Sequence, residues 1–155
     1  MFRRISLFLL LSFSFSVQAQ DFTQEDAKAV IDTFFEGFHK GDTTLMRSVL
    51  LKEVPTYTVY TTPNGEKRLV TGSVDRLLEG IAQRPAEQVW KEELLDYSVQ
   101  IDGDLAQVWT PYRFYLNGSF SHCGANAFTL IQTNDGWRIQ SLIDSRRKGS
   151  CEQQD

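Results

Sequence analysis

The chain has little sulfur and little imidazole: two cysteines (Cys123, Cys151), two methionines and two histidines (His39, His122) among 155 residues. No Cys-x-x-Cys or His-x-x-x-His spacing occurs, so no zinc or other metal site is expected. Neither a glycine-rich phosphate loop nor a Gly-x-Ser-x-Gly elbow is present, which removes the usual nucleotide-binding and serine-hydrolase signatures, and no cofactor is expected. Positive charge is also scarce. Sixteen basic residues against twenty acidic ones leave a formal net charge of -4, and the one basic cluster, Arg146-Arg147-Lys148, is too short to read as more than a local patch. A nucleic-acid partner is therefore not expected.

What is present first is a leader. MFRRISLFLLLSFSFSVQAQ carries two arginines, an apolar run over Ile5–Phe15 and small residues around Ala19. That tripartite pattern predicts a secretory signal peptide over 1–19, cleaved after Ala19. The run is shorter than the roughly 20 apolar residues of a spanning helix, and no later stretch approaches that length. Residues 20–155 are expected to form one soluble domain, periplasmic or secreted and not membrane-bound after cleavage, because their length fits a single core.

Helical signals precede strand signals. Thr23 is placed to cap a helix whose Ala27, Val30, Ile31, Phe34, Phe35 and Phe38 share a face until Gly41 ends it. Asp42 and Ser73 are placed to cap two further helices, with the alternating segment Tyr57–Thr61, the turn Pro63-Asn64-Gly65 and a short strand near Leu69 between them. Four strands are expected after that: Val89–Ile101, Leu105–Leu116, Phe120–Thr133 and Trp137–Asp144, separated by Asp102-Gly103, Asn117-Gly118 and Asn134-Asp135-Gly136. This order predicts an α+β domain, three N-terminal helices packed on a strongly bent, mainly antiparallel sheet.

The tight turns also predict register. Counting from Asn117-Gly118 places Arg113 opposite His122 and Trp109 opposite Asn126, and counting from Asn134-Asp135 places Asn126 opposite Ile143. One sheet face would then carry Trp109, Arg113, Tyr115, His122, Asn126, Phe128, Ile139 and Ile143, and the other Tyr112, Phe114, Cys123, Leu142, Asp144 and Arg146. The first face has the larger apolar residues with a few polar ones, as a small-molecule pocket requires, and is expected to face the helices.

The element order, the helix end FFEGFHKGD, the hairpin VWTPYRFYLNGSFSHCGANAF and the closing strand GWRIQSLIDSRR resemble the nuclear transport factor 2-like superfamily, nearest its exported SnoaL-like and lumazine-binding-like branch. The resemblance implies a cone-shaped fold over essentially all of the mature chain. It also implies a homodimer through the outer sheet face, where Tyr112, Phe114 and Leu142 are expected. It does not fix an activity, because relatives with this cone include isomerases, cyclases, dehydratases and non-catalytic binding or association modules. Ketosteroid isomerase relatives carry an acid early in the sheet, where this chain reads PTYTVYTTP without a carboxylate.

The pocket candidates are therefore Tyr57, Trp109, Arg113, Tyr115, His122, Asn126 and Phe128, with no catalytic residue assigned. His122 beside Arg113 either contacts a ligand or is a hydrogen-bonded histidine at the sheet rim. His39, at a helix end, reads as a favourable positive charge. Asp144 matches an acid of some SnoaL-like cyclases, but its register points it away from the pocket into an ion pair with Arg146. Trp90 and Trp137 read as core. For an exported chain the two cysteines are expected to pair as Cys123–Cys151, with Gly149 letting the tail turn back; a free buried cysteine and a reactive thiol are the alternatives. Two functions follow: a non-catalytic domain that binds a small, partly apolar ligand or associates with another protein, or a small isomerase, dehydratase or cyclase using His122, Asp144 or Tyr57.

Overall fold

A computed structural model describes residues 21–149 and 151; the signal peptide expected over 1–19 lies outside them. Helix α1 spans Gln24–Lys40. Thr23 and Asp26 form a reciprocal cap, Thr23 Oγ1 accepting from the Asp26 amide at 3.2 Å and Asp26 Oδ2 from the Thr23 amide at 2.8 Å. Gly41 closes the helix at φ 73°, a left-handed conformation that costs glycine little. Asp42 caps α2 (Thr43–Ser48), accepting from the Leu45 amide at 2.9 Å. Strands β1 (Pro55–Thr61) and β2 (Lys67–Ser73) form a hairpin, and Ser73 caps α3 (Val74–Ala82).

The remaining elements are β3 (Trp90–Leu94), β4 (Ser98–Asp102), β5 (Leu105–Leu116), β6 (Ser119–Thr133) and β7 (Gly136–Arg147). All seven strands join one sheet, ordered β2-β1-β7-β6-β5-β3 with β4 also on β5. Only β1 and β7 run parallel. The single strand expected over Val89–Ile101 is two, broken at Leu95-Asp96-Tyr97. The cause lies opposite, where Pro111 has no amide hydrogen to give the ladder; its carbonyl instead accepts from the Leu95 amide at 2.9 Å.

Two bulges decide which residues face the helices. Between β5 and β6, Tyr115 pairs with Phe120 as the turn predicts, but Phe114 then pairs with His122, leaving Ser121 as the extra residue. Between β6 and β7, Leu130 pairs with Ile139 and Thr129 with Ser141, leaving Gln140 extra. Each inserted residue moves every later pair by one and exchanges the faces beyond it. Arg113 accordingly lies opposite Cys123, Trp109 opposite Ala127, and Asn126 opposite Asp144. Tyr112, Phe114, Leu142, Asp144 and Arg146, expected on the outer face, share the inner face with His122 and Asn126. Trp109, Arg113 and Ile143, expected inside, are outside.

The inner face and the helices enclose one core. Ile31, Phe34, Phe35 and Phe38 of α1 and Val74, Leu78 and Ile81 of α3 pack on Ala106, Val108, Phe128, Leu130 and Ile139. Cys123 and Cys151 are bonded, 28 residues apart, so the segment after β7 is tied to β6.

Candidate functional site

Where the α1 aromatic face reaches the open end of the sheet, the core gives way to a cavity of about 330 Å³. Its apolar wall is Phe34, Phe35 and Phe38 from α1, Leu77 from α3, Trp90 from β3, Phe114 and Leu116 from β5 and Leu142 from β7. Six polar residues break that wall: Gln88, Glu92, His122, Asn126, Asp144 and Arg146. The β1, β7, β6 and β5 register aligns Thr58, Asp144, Asn126 and Thr110 in one rung, so the polar groups have neighbours to bond.

Asp144 is the anchor of this set. It is buried and accepts from the Thr58 hydroxyl, from Tyr112 Oη at 3.2 Å and from Arg146 Nε at 2.6 Å. Tyr112 reaches it across Gly124, which faces it from β6. A Cβ at Gly124 would stand 1.6 Å from the Ser145 carbonyl oxygen and 3.0 Å from the Tyr112 ring, so only glycine fits. Burial and then the Asp144 charge raise the Tyr112 hydroxyl well above the ordinary tyrosine range, which keeps it a donor.

Glu92 is the second carboxyl. Asn126, itself buried, donates from Nδ2 to Glu92 Oε1 at 2.7 Å. Burial among aromatic side chains nevertheless pushes Glu92 up to about 7, opposed by the Asn126 bond and supported by the nearby Asp144 charge. The group therefore titrates near neutrality at the wall of an apolar cavity. The Glu92 amide donates to His39 Nε2 at 3.0 Å, which requires an unprotonated acceptor nitrogen. His39 is thus a neutral link between α1 and β3, its pKa lowered chiefly by burial, and not the helix-end charge that its position suggests.

His122 lies against Phe114, with ring centres 4.9 Å apart, and its Nδ1 is 3.1 Å from Ser121 Oγ. Burial and then Arg146 lower its pKa, so the cation beside this histidine is Arg146 and not Arg113. The ion pair expected between Asp144 and Arg146 is present, but it faces the cavity.

Of the residues proposed from sequence, His122 and Asn126 line the cavity. Phe128 is fully buried and packs edge-on against Phe34 and Phe35, so it belongs to the core beneath the wall. Trp109 is half exposed and, like Arg113, lies on the outer face. Tyr57 pairs with Ile143 on that same face, and Tyr115 packs on Phe120 beyond the bulge. The residue that sequence reasoning missed is Glu92. Its signal was the alternation Trp90, Glu92, Leu94 within WKEEL, which puts a carboxylate between two large apolar residues.

The family described as "Putative lumazine-binding" matches residues 23–142. No curated protein matches the chain. Among solved structures, a Streptomyces avermitilis protein titled a "putative dehydratase" of the nuclear transport factor 2-like family is similar at 19% identity, with a TM-score of 0.60 over 81% of this chain and 96% of that one. A nuclear transport factor 2-like superfamily protein of Salmonella enterica is similar at 17% identity, TM-score 0.61, over 81% and 92%. One from Cytophaga hutchinsonii is similar at 11% identity, TM-score 0.60, over 81% and 100%. At these identities the likeness is one of fold.

Proposed function

Because the chain belongs to the lumazine-binding-like family of the nuclear transport factor 2-like superfamily, we propose that it is an exported domain that binds a small, partly apolar ligand in the cavity between α1 and the inner sheet face. The observation that carries this reading is the cavity itself, a space of about 330 Å³ with a largely aromatic wall, onto which Glu92, Asn126, His122 and Arg146 converge. That is the composition of a small-ligand site: an apolar body with few, placed polar groups. The disulfide is consistent with an oxidising compartment and so with export.

The test is to purify the mature protein from its native compartment, extract it and identify co-purifying compounds by mass spectrometry. A compound present with the wild-type protein and absent from Leu142→Trp, which fills the cavity, is the expected result. Lumazine, named in the family's description, belongs in a parallel binding titration. Failure of every compound to bind, with a cavity filled by side chains in a crystal structure, would leave association through the sheet as the function.

A second reading is favoured by one observation, the Glu92 carboxyl that titrates near neutrality beside Asn126 and open to the cavity. Such a group is suited to proton transfer, and the domain would then be a small isomerase, dehydratase or cyclase. Glu92→Gln that keeps binding but loses turnover would establish it; unchanged turnover would remove it.

We also propose a homodimer. The outer face, with Val59, Trp109 and Ile143 each more than a third exposed, offers the apolar surface for it.

A further inference from the structure

The polar group of the cavity that is oriented yet keeps free donor atoms is the Arg146 guanidinium, and its placement specifies a ligand. Asp144 is already engaged, its Oδ1 accepting from Thr58 and its Oδ2 from Tyr112 and Arg146. Arg146 is held through Nε, so its orientation is fixed, while Nη1 and Nη2 make no hydrogen bond among the described residues. Its side chain is half exposed at the cavity mouth. His122 Nε2 also has no partner among the described residues and donates or accepts according to the ring's tautomer. Gln88 accepts the Trp90 indole N–H through its oxygen at 3.0 Å, leaving its amide nitrogen available. The carboxylate with spare capacity is Glu92, and burial favours its neutral, donating form.

We propose that the cavity takes a small aromatic or alicyclic monocarboxylate, its carboxylate on the terminal nitrogens of Arg146 and its ring against the α1 phenylalanines, Trp90 and Leu142. This rests on the reading of the cavity as a ligand site and names the substrate class for it. A carboxylate is acceptor-only and matches the planar fork of a guanidinium with two parallel hydrogen bonds. An ammonium ligand would face the Arg146 cation, with which it can make no hydrogen bond, since both groups only donate. A neutral amide of the same shape would form weaker, uncharged hydrogen bonds.

Three probes that share one ring system, 2-naphthoate, its isostere 2-naphthamide and 2-naphthylmethylammonium, are titrated into the full mature protein by calorimetry, with the Trp90 indole N–H followed by NMR to place them in the cavity. The expected result is that the carboxylate binds about ten-fold or more tightly than the other two. That preference is lost in Arg146→Gln and retained in the outer-face control Arg113→Gln. Because Arg146→Gln also removes a partner of Asp144, the wild-type selectivity stands as a measurement independent of any variant. Equal or tighter binding of the amide or the ammonium, with the Trp90 signal moving, would overturn the carboxylate assignment and leave the ligand site intact. No binding of any probe and no Trp90 shift would overturn both.

Discussion

Glu92 pairs a hydrogen bond it needs with a burial it pays for in charge. Its pKa is pushed up to about 7, so between the ordinary carboxylate range and that value the folded protein holds a proton that the unfolded chain has released. Stability is then greatest below the unfolded pKa and falls as pH rises through about 7, by about 3 kcal/mol at most. Glu92→Gln keeps an acceptor for Asn126 Nδ2 without the charge. Thermal melts should show the variant close to wild type at pH 4 and more stable than wild type at pH 8; equal pH slopes in the two proteins would contradict this. Nothing in the residue's type distinguishes it from its neighbour Glu93, which points outward. What separates them is one step of strand alternation, visible in the sequence only once the strand itself is correctly bounded.

At the scale of the element, helices and turns were legible because side chains specify them: Thr23, Asp42 and Ser73 cap, and Gly41 and Asn117-Gly118 take up left-handed backbone. The bulges at Ser121 and Gln140 were not, since an extra residue in a ladder is a choice of backbone pairing that neither side chain announces. Counting from a turn therefore holds only as far as the first bulge. This is why His122 and Asn126 were placed on the inner face while their expected companions Arg113 and Trp109 were not. Gly124 carries a stronger constraint. Gly124→Ala should destabilise by about 3 kcal/mol in denaturant unfolding, the upper end of the usual overpacking cost, since the added carbon meets backbone that cannot yield without parting β6 from β7. The disulfide ties the end of the same strand pair. Cys151→Ser should lower stability by about 3–4 kcal/mol in the chain-entropy view for a loop of this length, and unreduced, denatured wild type should show no free thiol.

For the whole molecule, the outer face exposes a group of apolar side chains, Val59, Trp109 and Ile143, that lie across the sheet from the cavity. If that face pairs two copies, light scattering of the mature protein should give twice the monomer mass, and Trp109→Glu should return it to monomer with the cavity undisturbed. A monomer at high concentration would contradict the pairing. The fold class was readable because apolar periodicity dictates it, whereas the cavity depends on where two strands slip by one residue. The parallel pair of β1 with β7 has a different kind of consequence. Thr58 meets Asp144, 86 residues further along, and until β7 is in place β1 has only the edge strand β2 beside it. The joining of the β1–β2 hairpin to the other strands and the completion of the polar rung both wait on the last strand. A chain emerging from its N-terminus thus carries its first hairpin long before the strand that links it to the rest of the sheet, and that link is the strand pairing most distant in sequence that the fold has to make.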